Sequence, residues 1–456
     1  MTVSMAAEVA PSGPCCPRCS SGIASEMHFC PNCGIPLGAS GQHPPAAIAA
    51  VPNGDGLQRL SLLLLAATIP LAFVLLIVSV QPSVFAEPEL YFADALIEAT
   101  VFLLLFRLFD LYEREPLSVL ALMAVWGGTV GLALAVIGNS ALNHSLPRPV
   151  GAVFGAAIAA PVVEEASKGA ALVAAFLVTA WANRRFGLFK FDGLTDGLLY
   201  GAAIGLGFAV VEDILYFLNS ATSQGVGTGL KVFLTRTSLL NLNMLLHPLA
   251  TGAFGAGLGL ATWSRTRRGR IGFPLLGLAV AMLTHAAWNG FDELVLVERY
   301  GWHRTSAWFT TGVDPALSDR MQRTFAHADQ IFHIGWYVFI ALWVVTIALW
   351  NRHQRKVIAT ELSEEIGWGT VSGEELRRIL HVVGRTKLGW KLVLAGRFEE
   401  RRLLRRLDSE LVGLAFLKRR LRGEPDAEAK LDVRRRRIAT IRGELAVAES
   451  EILVAA

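Results

Sequence analysis

Charged residues are scarce in this chain. They make up 18% of its 456 residues, against about a quarter in an ordinary soluble domain, while hydrophobic residues reach 53% and the mean hydropathy is +0.45. A water-soluble multidomain protein is therefore excluded, and the wealth of Leu, Ala, Val and aromatics excludes a disordered or fibrous one. Cysteine is missing outside one short stretch, since all five lie between Cys15 and Cys33. No distributed disulfide framework can form, which points to a reducing compartment. The first residues also lack a basic n-region followed by a short apolar run, so no cleavable signal peptide is expected and insertion would rest on the first hydrophobic helix.

The charge that is present is uneven. Residues 351–456 hold 23 Lys/Arg against 16 Asp/Glu, whereas residues 1–350 hold 19 against 22. Near the start, Cys16, Cys19, Cys30 and Cys33 form two Cys-x2-Cys knuckles shaped by Pro17, Pro31 and Gly34. Four thiolates so spaced can close a tetrahedral site, and a segment this short has no core of its own, so a structural Zn2+ would supply its folding energy. No βαβ pattern surrounds the pairs, which sets a redox reading aside. The expected organisation is a zinc ribbon over 1–36, a Gly/Pro/Ala/Ser-rich flexible linker over 37–58, a membrane domain over 59–350 and a basic helical tail over 351–456.

Eight apolar stretches are each long enough to cross a hydrocarbon core, which takes about 20 helical residues. They fall near 60–81, 90–109, 118–140, 150–182, 193–218, 237–262, 271–297 and 328–350. The fold class is thus an all-α polytopic membrane protein with a small zinc ribbon and a helical tail. Basic residues gather after the second stretch (Arg107, Arg114), the fourth (Arg184, Arg185, Lys190), the sixth (Arg265, Arg267, Arg268, Arg270) and the eighth (Arg352, Arg355, Lys356). The positive-inside rule then places both termini in the cytoplasm and the protein in the cytoplasmic membrane. In the tail, Ser372 and Glu375 make a capping box. Segments near 397–422 and 426–454 form an amphipathic hairpin broken at Gly423, Glu424 and Pro425. The run Arg434 to Arg437 is a candidate contact for anionic lipid or a cytoplasmic protein, beside the plainer reading of a solvated helical face. Nucleic acid is not favoured.

Ionisable residues inside spanning helices are expensive, so each is a functional candidate. The fourth stretch carries Glu164, Glu165 and Lys168, the fifth Glu212 and Asp213, the sixth His247 with Thr251, and the seventh His285, Asn289 and Asp292. At 100° per residue Glu164 and Lys168 share a face and are expected to pair, with Glu165 about a quarter-turn away. Counted along each helix, these groups fall at overlapping depths, as a shared site requires.

These residues resemble a known family. The run from Asp110 to Pro116 (DLYEREP), the EExxK motif from Glu164 to Lys168, Asp192 and Gly193 leading into DGLLYG from Asp196, GFxxxE from Gly207 to Glu212, His247 and the late His285 motif are similar to the PrsW family of intramembrane proteases, relatives of the CAAX prenyl endopeptidases. The resemblance covers roughly residues 90–297. It implies peptide-bond hydrolysis within or beside the bilayer, typically of a single-pass anti-sigma factor. The family's last motif is usually HxxxD; here Asn289 takes the acid's place, and Asp292 lies on the same face.

Amide hydrolysis needs an activated water, stabilisation of the oxyanion and a proton for the leaving nitrogen. In one reading Glu164 and Glu212 hold the water, Lys168 pairs with Glu164, and His285 with Asn289 donates to the oxyanion. In the other, Glu164, Glu212, His247 and His285 ligate a catalytic Zn2+; the HExxH spacing that would decide for it is absent. Membrane carboxylates and histidines also build transport pathways, but comparing 118–218 with 193–297 reveals no convincing second EExxK or HxxxN of an inverted repeat. A signalling scaffold acting through ribbon and tail would be indifferent to the membrane carboxylates.

Overall fold

The computed structural model describes residues 115–145, 154–186, 193–225, 227–231, 242–424 and 427–455, with isolated positions before residue 115 and Phe191. Among the described residues the secondary structure is helical, apart from a single bridge between Cys15 and Gly22. The helices are α1 Leu117–Trp126 and α2 Leu132–Ser145, joined by a π turn Gly127–Gly131, then a second π turn Gly155–Ala159 leading into α3 Ala160–Phe186. They continue as α4 Leu194–Gln224, α5 Leu246–Trp263, α6 Arg267–Tyr300, α7 Trp302–Thr310, α8 Pro315–Gly367, α9 Gly373–Leu380, α10 Val382–Leu394, α11 Phe398–Leu421 and α12 Ala427–Ala455.

Among the described residues, five helical segments are long and apolar enough to cross a membrane: Leu117–Leu142, Leu194–Ala221, Asn243–Trp263, Arg267–Tyr300 and Pro315–Gly367. They correspond to five of the eight expected spans, and the protein is an integral membrane protein. The expected spans near 60–81 and almost all of 90–109 lie outside the described residues. The expected fourth span is helix α3, whose Glu164, Glu165 and Lys168 interrupt its apolar character. The 298–327 stretch, read from sequence as a loop, holds α7 and the beginning of α8 instead. α8 runs for 53 residues, about 80 Å at 1.5 Å per residue. Pro315 suits its first turn, and beyond it no further proline interrupts the helix before Gly367.

In the membrane unit, α4 and α5 touch backbone to backbone. Gly193, Gly197, Gly201 and Gly205 recur every fourth residue along one edge of α4, and a Cβ at Gly197 would stand 1.9 Å from the Gly255 carbonyl oxygen, at Gly201 2.4 Å from that of Thr251 and at Gly205 2.2 Å from that of His247. Small residues allow this approach, and in lipid close packing replaces the hydrophobic drive that holds helices together in water. The contact fixes His247 and Thr251 of α5 against α4. Gly205→Val should therefore fail at folding: in detergent its size-exclusion profile should be aggregated, while a substitution at lipid-facing Leu283 leaves the profile unchanged. Beneath the start of α1, the Tyr200 hydroxyl donates to Glu115 Oε2 at 2.6 Å, and the Glu115 backbone N–H donates to Asp110 Oδ2 at 2.7 Å.

The tail forms a second unit. Its capping box is formed: Glu375 N–H donates to Ser372 Oγ at 3.1 Å and Ser372 N–H to Glu375 Oε2 at 2.7 Å. Leu403, Leu407 and Leu411 are buried along α11. The Arg434 to Arg437 run is largely consumed inside this unit. Arg435 is buried and donates to both oxygens of Glu365 at 2.9 Å, while Arg434 and Arg437 pair with Glu410. Burial alone would lower the Arg435 guanidinium's pKa, but its bonds to Glu365, Glu428 and Asp432 hold it raised. These arginines close the helical bundle.

Candidate active site

Five helices bring the intramembrane polar groups together: α2 supplies Asn139, α3 Glu164, Glu165 and Lys168, α4 Glu212, α5 His247 and Thr251, and α6 His285. Glu165 is the hub. Its Oε1 accepts from Lys168 Nζ at 2.8 Å, its Oε2 from the Thr251 hydroxyl at 2.9 Å, and His285 Nδ1 stands 2.9 Å from Oε1. A carboxylate only accepts, so His285 Nδ1 donates, and in the neutral imidazole its Nε2 keeps a lone pair. That Nε2 lies 3.6 Å from Glu164 Oε2. A carboxylate orienting one imidazole nitrogen so that the other faces inward is the usual support of a metal-binding histidine.

Glu164 is held by one oxygen and open at the other. Oε1 accepts from Asn139 Nδ2 at 3.2 Å, whereas Oε2 is buried without a hydrogen-bond partner, with Lys168 Nζ 3.8 Å away. Lys168 Nζ also lies 2.8 Å from His247 Nδ1 and 3.8 Å from the centroid of Phe208. An ammonium cannot accept, so His247 Nδ1 accepts and Nε2–H donates to Glu212 Oε2, 2.9 Å away. The two imidazole rings meet edge to face at 4.8 Å.

With its carboxylates ionised, the cluster sets Glu164, Glu165 and Glu212 against the single ammonium of Lys168, a formal charge of −2. In a low-dielectric interior that surplus calls for a compensating cation or protons. One ligand atom each of Glu164, His247 and His285 lies within 4.8 Å of the others, and all three residues are buried. The unpartnered Glu164 oxygen and the lone pair of His285 Nε2 are donor atoms suited to a borderline divalent metal. Glu164 and His285 fit such an ion as they stand, and His247 would fit it through Nδ1 once Lys168 Nζ turned away from that nitrogen.

Lys168 keeps the expected ion pair with Glu164 and adds a second, with Glu165. It sits closer to Glu165 than to Glu164, because Glu165 turns in toward α5 and α6, where Thr251 and His285 donate to it and hold it in reach. Asn289 is half-buried one turn beyond His285. Asp292 does not take the place of the missing family acid beside the cluster; its charged neighbours are Glu293, Asp329 and His333. Asn139 escapes a search restricted to ionisable residues, although the same rule on buried polar groups in a span applies to it. Of the ribbon ligands, Cys19, Cys30 and Cys33 lie outside the described residues, and Cys16 is buried.

No curated protein and no solved structure matches the chain. Residues 115–303 match the family described as PrsW family intramembrane metalloprotease, a segment that contains every group of the cluster from Asn139 to His285. By that match the chain carries a PrsW-type intramembrane protease domain over residues 115–303.

Proposed function

We propose that the chain hydrolyses peptide bonds of single-pass, anti-sigma-factor-like membrane proteins at the Glu164, Glu212, His247 and His285 cluster, with a divalent cation such as Zn2+ held by Glu164, His247 and His285. The observation that carries this reading is the buried, unpartnered Glu164 Oε2 facing the free lone pair of His285. Bound there, the ion would supply Lewis acidity, making a nucleophile available near neutral pH and polarising the scissile carbonyl.

The protein's own groups do the rest. Glu212 has the most accessible carboxylate of the three, its side chain 16% exposed against 1% for Glu165. It takes the proton from the attacking water and delivers it to the leaving nitrogen. His247 would ligate through Nδ1, in place of its contact with Lys168, while its Nε2–H holds Glu212 for that task. Glu165 orients His285, Thr251 and Lys168 hold Glu165, and Asn139 holds Glu164. Asn289, one turn from His285, donates to the developing oxyanion. In this reading residues 59–350 cross the membrane eight times with both termini in the cytoplasm. A structural zinc in the 1–36 ribbon and the 351–456 tail then lie on that side, joined to the protease by the 37–58 linker and the end of α8.

The Lys168 to His247 contact favours a second reading. It places the proton on His247 Nε2, the nitrogen nearest Glu212, and so suits a metal-free site in which Glu164 and Glu212 share the water. Metal analysis of the protein lacking residues 1–50 separates the two. The first reading expects one divalent ion per chain, lost in Glu164→Gln, together with cleavage that chelation stops and Zn2+ restores. Full activity in a chain devoid of metal would overturn it in favour of the glutamate mechanism.

A further inference from the structure

Among the described residues of the tail, the largest apolar exposures gather on one short surface. Val383 is 62% exposed, Trp390 60%, Leu394 84% and Phe398 63%. Val383, Lys387, Trp390 and Leu394 follow one another at steps of three and four along α10, so they form one stripe. At the end of that stripe, Gly396 takes φ +71 and turns the chain sharply into α11, which brings Phe398 to the same corner. The opposite side of α10 faces inward through Leu392. A stripe of Trp, Leu and Val is costly to leave in water, and on a monomeric surface it marks a contact.

Its flanks are basic. Residues 382–406 hold eight Lys/Arg and two Asp/Glu. Lys387 and Lys391 are exposed on α10 itself, and Arg401 approaches the Trp390 ring at 6.0 Å. This combination of one Trp, bulky aliphatics and lysines whose stems can run along an apolar surface is the chemistry of a helix lying in a membrane interface. The same chain crosses a bilayer, and α10 begins fifteen residues after the end of α8. The apolar part of α8 ends near Trp350, so a lipid surface lies about thirty residues from α10 along the chain. The Arg434 to Arg437 run is less suited to the task, since Arg434, Arg435 and Arg437 are committed to Glu410 and Glu365.

We infer that α10 and the first turn of α11 form an interfacial anchor, seating Val383, Trp390, Leu394 and Phe398 among acyl chains and Lys387 and Lys391 on anionic phospholipid headgroups. The anchor would fix the tail to the bilayer that holds the protease site.

The test uses the full-length chain with Leu394→Cys labelled with bimane, and the wild-type chain labelled in parallel to subtract the native cysteines. It is reconstituted into vesicles of phosphatidylcholine alone or with phosphatidylglycerol, and compared with detergent micelles. In anionic vesicles the label should shift to the blue and be shielded from iodide, and high salt should weaken both effects. Each lysine contributes about a fivefold preference for the anionic surface, so Lys387→Gln with Lys391→Gln should lower that preference roughly 25-fold. Equal iodide access in all three environments would overturn the proposal. So would shielding that is the same in phosphatidylcholine and anionic vesicles and unmoved by salt, which would mean that protein, another segment or a second copy, covers the stripe.

Discussion

Glu212→Gln will cut a single-pass substrate about 10²–10⁴-fold more slowly than the wild type, the usual contribution of a positioned general base. It will insert and fold normally. Glutamine keeps the oxygen that accepts from His247 Nε2 at 2.9 Å, so the α4 to α5 contact survives, but no proton can be taken up at neutral pH. Cleavage rate and thermal midpoint, measured on the same preparation, separate the two consequences. A variant that lost stability along with activity would mean that Glu212 is part of the packing instead.

Lys168→Met will behave the opposite way, failing at the fold before it fails at the chemistry. The ammonium is fully buried and bonds Glu165 and His247 at once. Removing it leaves Glu165 charged with no cation beside it, and breaking a buried ion pair from one side costs roughly 3–5 kcal/mol. The expected result is a large fall in thermal midpoint and little monodisperse protein in detergent. Lys168→Met combined with Glu165→Gln should recover most of the stability, because both halves of the pair are then neutral, while His285 loses its orienting charge and activity stays low. A double variant no more stable than the single one would remove the ion pair from the account.

The apolar runs made the spanning helices legible, because a segment crossing lipid must satisfy its own backbone and therefore declares itself by composition. The same logic singled out Glu164, Glu165, Glu212, His247 and His285, each costly where it stands. What sequence did not convey was partner choice. The helical spacing rule joined Lys168 to Glu164, and that pair forms; the closer bond to Glu165 depends on Thr251 and His285, more than eighty residues along the chain. Likewise Arg434 to Arg437 read as an open basic surface because Glu365 and Glu410, which receive Arg434, Arg435 and Arg437, arrive only when α11 and α12 fold against the end of α8. The length of α8 was hidden for a different reason. Polar residues on either side of its apolar centre look like loops by hydropathy, although nothing between Pro315 and Gly367 compels the helix to stop. The capping box at Ser372 and the break at Gly423 are local features, and both stand where the residues put them.

Hydrolysis of peptide bonds in the membrane by the cluster on α3, α4, α5 and α6 can be measured directly. Its most direct test is incubation of the purified protein, reconstituted in nanodiscs, with a panel of single-pass substrates, reading the products by mass spectrometry. The wild type should yield a cut within or beside the substrate's spanning segment, and the Glu164→Gln, Glu212→Gln double variant, equally folded, should yield none. The same cut at an undiminished rate from the double variant would contradict the account.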